Sequence, residues 1–96
     1  MDILDFDYAR ALRHAQQVEN IAEEMTHMVN SDLSQVFNAI ESAWVGEASV
    51  MFQSHLSKTK QEIQSEAQDL RDAAKRIRRI AAILKQAEED AEAAMD

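Results

Sequence analysis

The sequence has no cysteine, no proline and a single glycine, Gly46. Without cysteine, no disulfide staples the fold and no thiolate serves as nucleophile or metal ligand. Proline and glycine are the main punctuation of turns, so a 96-residue chain with one of them between the two has little irregular structure. An excess of positive charge is also missing. The formal net charge of −8 argues against nucleic acid as a main partner, because phosphate binding needs a basic face. It argues equally against adsorption to an acidic membrane surface. No apolar run approaches a membrane span, so no stable membrane insertion is expected. The start, Met1-Asp2-Ile3-Leu4-Asp5, has no basic segment followed by an apolar stretch. A standard secretory signal peptide is therefore not expected, and export would need another route.

Catalytic signatures are absent as well. There is no His-Glu-x-x-His, no Gly-rich phosphate loop and no serine nucleophile elbow. Glu24 and His27 fit the Glu-x-x-His spacing of di-iron bundles, but such a site needs two of these motifs and two further glutamates. His14 and His55 have no glutamate three residues before them. The expectation is a protein without cofactor, metal or catalytic residues, and not an enzyme.

What is present is helix-forming composition, rich in alanine, glutamate, glutamine, lysine, arginine and leucine. In the first half, Ala11, Ala15, Val18, Ala22, Met25 and Val29 alternate steps of four and three, the coiled-coil period. The pattern resumes at Leu33, Val36, Ile40 and Ala43 after one extra four-residue step. Such a stutter unwinds a supercoil locally. Asn30-Ser31-Asp32 lies there, and Asp32 with Gln35 could instead cap a new helix. In the second half, Leu56, Ile63, Leu70, Ile77, Leu84 and Ala91 fall seven apart. Beside the weak seam position Glu66, Ala67 is expected to supply the contact.

Gly46 lies between the two patterns and can adopt the positive φ that ends helices. The sequence therefore predicts an all-α fold, an antiparallel helical hairpin in one domain over residues 1–96. Helix one covers about 6–43, the turn about 44–46 and helix two about 47–90, with a frayed acidic tail to 96. Facing residues are expected to have numbers summing to roughly 90, which sets Phe6, Tyr8 and Leu12 against the patch from Ile80 to Leu84. Arg71, Lys75, Arg76, Arg78 and Arg79 read as a solvated basic segment or a contact for an acidic partner, with Asp72 and Arg76 spaced for an i,i+4 pair.

A lone hairpin buries each helix on one side. For a small domain, an ordering cost of about 1.5 kcal/mol per residue nearly cancels apolar burial. The apolar stripe is also wide enough to contact two neighbours. Dimerisation into a four-helix bundle follows, with Val18, Met25, Leu56, Ile63, Leu70 and Ile77 carrying the packing.

The mid-chain segment reads Ala43-Trp44-Val45-Gly46-Glu47-Ala48, with Phe52 four residues later. This resembles the central motif of the WXG100 family, the ESAT-6-like helical hairpins of type VII secretion. Trp44, Gly46, Ala48 and Phe52 fill its four places, and the resemblance covers essentially the whole chain. It implies a small secreted substrate that binds other proteins as a homo- or heterodimer. The partner would be itself, a second helical-hairpin protein or a toxin N-terminal domain, presented to a secretion ATPase. Export would be signal-peptide-independent, from a cytoplasmic pool, with Trp44 and Gly46 at the machinery-facing tip. An adaptor or chaperone that targets a larger toxin is the alternative. Many members also carry a C-terminal Tyr-x-x-x-Asp/Glu signal. Here the nearest match is Leu84 with Glu88, and the one tyrosine is Tyr8.

Overall fold

Asp7 starts the first helix. Its side chain accepts a hydrogen bond from the Arg10 amide at 2.9 Å, which satisfies one of the free N–H groups of the first turn. The computed structural model describes residues 7–44 and 46–95. Phe6 and Asp96 lie outside them. Helix α1 runs Tyr8–His27, a π-helical turn spans Met28–Leu33, α2 runs Ser34–Ala43 and α3 runs Glu47–Met95. No strand occurs among the described residues. The hairpin is a rod with extents of 76 × 15 × 13 Å, its length set by the 49 residues of α3 at about 1.5 Å each.

The buried column is mostly alanine. Ala15, Ala22 and Val29 on one side and Ala67, Ala74 and Ala81 on the other are almost wholly buried. Each set repeats every seven residues. Side chains this small let the two backbones approach closely, and the larger apolar residues are pushed to the flanks. Toward the turn the column continues through Ile40 and Leu56, with Ser49 buried beyond them. From Val29 to Ile40, and from Leu56 to Ala67, the step is eleven residues rather than seven. Eleven residues fit three turns of a nearly straight helix, so both strands of the hairpin leave the heptad at the same level.

The stutter does not break the helix. Residues 28–34 keep right-handed helical dihedrals at both ends of the turn, and the extra residues are taken up as a π-turn. Ser34 supports it, its hydroxyl donating to the Val29 carbonyl five residues earlier at 3.1 Å. Asp32 caps nothing. The cap position of α2 is Leu33, without a side-chain hydrogen bond.

The register differs from the sequence expectation. Trp44 lies against Phe52, Arg78 binds Glu19, Arg71 binds Thr26 and Lys60 binds Ser34, so facing numbers sum to about 96 and not 90. The expectation centred the pairing on the short turn itself, at residues 44–46. Trp44 is extended, at φ −107° and ψ 141°, and extended residues advance about 3.3 Å each. The chain therefore travels outward before α3 begins, and the first turn and a half of α3 overhangs α2. Gly46 makes the reversal at φ +92°. At the open end Tyr8 packs against Lys85, whose ammonium lies 4.5 Å from the ring centroid. Helix α3 stays helical to Met95, past the residue 90 expected from the sequence.

Candidate functional site

The alanine column divides the hairpin into two unlike sides. At about 100° per residue, positions four after each buried residue fall to one side and positions three after it to the other. The first side is polar. Arg78 donates to the Glu19 carboxylate. Arg71 Nη2 donates to Thr26 Oγ1 at 2.6 Å, and Thr26 Oγ1 donates to the Ala22 carbonyl at 3.0 Å. Lys60 Nζ donates to Ser34 Oγ at 3.2 Å. Lys85 covers Tyr8 on the same side. This seam is closed by the chain's own bonds.

The second side is apolar. It carries Val18 and Met25 from α1 and Leu70, Ile77 and Leu84 from α3, all half-buried. Ile63 joins them four residues before Ala67 and is also half-buried. Farther round lie Ile21, Met28 and Ile80, which are exposed. Of the residues expected to carry bundle packing, Leu56 is buried inside the hairpin. The other five line one open face.

The tip forms the second surface. Trp44 is 50% exposed, and its ring meets Phe52 at a centroid distance of 5.6 Å and a tilt of 56°. Val50 and Met51, on the overhanging turn of α3, are 65% and 66% exposed. Ala48 and Gly46 are exposed beside them. An apolar cluster that extends past the end of α2 is thus displayed with little cover.

Charge is arranged to hold the polar seam. The hydrogen bond from Arg78 lowers the Glu19 pKa below the ordinary carboxylate value, with the positive charges of Arg78 and Lys75 adding to it. The same bond raises Arg78. Two of the five cations in the basic segment, Arg71 and Arg78, are therefore seam residues, while Arg76 and Arg79 are exposed. Asp72 accepts from Gln68 Nε2 at 3.0 Å instead of pairing with Arg76. Leu84 and Glu88 are half-buried one turn apart near the open end.

Glu24 and His27 line a shallow depression on α1 with Asn20 and Glu23. Among the described residues no group of three or more histidine, cysteine, aspartate or glutamate side chains could hold a metal ion. No described helix is long and apolar enough to cross a membrane.

Sequence reasoning missed Ala74 as core, although its seven-residue spacing from Ala67 is legible. It also missed the Lys60–Ser34 contact, which joins residues 26 apart and leaves no local signal.

A family model described as "WXG100: Proteins of 100 residues with WXG" matches residues 4–89. Neither the curated proteins nor the solved structures yield a significant match.

Proposed function

The chain belongs to the WXG100 family, and from that premise we propose that it is a small type VII secretion substrate without enzymatic activity. It acts by binding other proteins and is exported folded, as a homo- or heterodimer, by a route that needs no signal peptide. The observation that carries the reading is the one-sided apolar face. Val18, Met25, Ile63, Leu70 and Ile77 are only half-buried in the hairpin, whereas the opposite side is closed by its own hydrogen bonds. A second hairpin laid on that face completes a four-helix core. The Trp44–Phe52 tip stays exposed at the end of the rod, where a secretion ATPase could engage it.

The width of the face supports a second reading. It would also take the helical N-terminal domain of a larger toxin, making the protein an adaptor. Purification from the native host separates the two: a co-purifying chain of the same size supports the dimer, and a large polypeptide supports the adaptor. Export itself is tested by comparing hosts with and without the secretion ATPase. The protein is expected outside the cell only when the ATPase is present, and an unchanged distribution overturns the secretion reading.

A further inference from the structure

The surface of α3 that points away from α1 carries a further pattern, which adjoins the open face at Ile80. Ile83 lies two residues past the buried Ala81, at about 200° around the helix, and is 60% exposed. Ile80 beside it is 50% exposed, and Ala82 and Ala87 are exposed and small. Arg76 and Asp90 sit seven residues before and seven after Ile83, both exposed on the same stripe. The Asp90 carboxylate accepts one hydrogen bond, from Gln86 Nε2 at 2.9 Å, and keeps acceptor capacity for a cation.

The same order holds for whole blocks. Outside the seam residues Arg71 and Arg78, residues 71–79 carry Lys75, Arg76 and Arg79 with one carboxylate, and residues 88–92 contain four carboxylates and no cation. The apolar patch separates the two. A helix with positive charge, an apolar centre and negative charge in sequence is complementary to itself when reversed.

We propose that this stripe is an interface for a second copy of the chain, with the two α3 helices antiparallel and centred on Ile83. Arg76 of each copy then meets Asp90 of the other. The two Ile83 side chains meet near the axis, and the exposed Ala87, one turn on, allows close approach. A parallel arrangement would set basic block on basic block and acidic on acidic, which is repulsive. The contact is isologous, the kind that closes at two copies. It uses the outward side of α3 and does not depend on the pairing proposed for the open face, so the two can coexist in one assembly. In this arrangement the Trp44 tips of the two hairpins point in opposite directions, and both stay free.

The absence of native cysteine makes the test clean. Ile83→Cys in the full chain is expected to form a disulfide-linked dimer under mild oxidation. Ser65→Cys, at an exposed polar position on the same helix, is the control and is expected to remain unlinked. In the Ile83→Cys background, Arg76→Asp or Asp90→Arg alone is expected to slow cross-linking roughly tenfold, by replacing two attractive pairs with two repulsive ones. Combining the two reversals is expected to restore it. Circular dichroism on each variant confirms that the helices are intact. Cross-linking no faster than in the Ser65→Cys control overturns the proposal, and so does failure of the double reversal to restore the rate. Loss of export or of open-face pairing leaves this readout unchanged.

Discussion

Lys60 Nζ lies 3.2 Å from Ser34 Oγ, and Ser34 Oγ lies 3.1 Å from the Val29 carbonyl, so a side chain of α3 reaches the π-turn through one hydroxyl. Lys60 also stands 5.7 Å from the Phe37 ring centroid. Removing either group, as in Lys60→Met or Ser34→Ala, is expected to cost about 0.5–1.5 kcal/mol. Amide exchange should rise in residues 28–39 and stay unchanged around Ala15 and Ala22. An evenly distributed change would mean that the contact does not support the turn.

Ala74 is fully buried in the middle of the column. Ala74→Leu should force the helices apart and destabilise the chain by about 1–3 kcal/mol, the usual cost of overpacking. Urea denaturation at fixed protein concentration reads it. A neutral result would show slack between the helices that the burial pattern does not suggest.

Trp44 is half exposed, so it cannot carry the 3–5 kcal/mol of a fully buried tryptophan. Trp44→Ala is expected to lower stability by roughly 1–2 kcal/mol, scaled by its burial, and to reduce export far more than the melting curve implies. Export that falls only in step with stability would make the residue a structural one.

Gly46 has φ +92°, and a side-chain Cβ there would meet nothing within 4 Å. The cost of Gly46→Ala is therefore backbone strain alone, about 1–2 kcal/mol. Gly46→Asn should cost less, because asparagine tolerates positive φ better. Thermal denaturation of the two variants, ranked in the opposite order, would refute this.

The Glu19–Arg78 pair gives a pH signature. The Glu19 pKa is lowered by the bond from Arg78, so its folded value lies below its unfolded one. The stability it contributes is present above the unfolded pKa and is lost as pH falls through the folded one. Glu19→Gln should therefore differ from the wild type at neutral pH and converge with it in acid, below the reference carboxylate value of 4.5. A stability difference that persists in strong acid would show that the effect of Glu19 is not electrostatic.

The sequence made the hairpin readable because its two heptad patterns flank a single glycine. The break between α2 and α3 falls between Ala43 and Glu47, where Gly46 separates the two patterns. The stutter after Val29 was visible, and it took the form of a π-turn because burial of Val29 and Ile40 on one face outweighs the poor helix propensity of Asn30 and Ser31. The choice of core column was less legible. Leucine and isoleucine stand out in a heptad, yet alanine occupies the contact, because closeness of backbones favours the smallest side chain. The register was missed because a connector's rise depends on its dihedral angles, which a spacing pattern does not contain. Long-range polar pairs such as Lys60 with Ser34 leave no local trace.

Alanine has no χ angles, so ordering the column between Ala15 and Ala81 freezes no rotamers. The rotamer-rich residues Met25, Leu70 and Ile77 sit on the open face, where part of their freedom survives in the unpaired hairpin. The chain thus divides its disorder in time. Backbone freedom is given up when the two helices close, and in the pairing proposed above part of the side-chain freedom would be given up only when a second hairpin covers the face. Association should accordingly carry an unfavourable configurational entropy larger than the area of the face alone would suggest, and single hairpins should be helical before they are rigid.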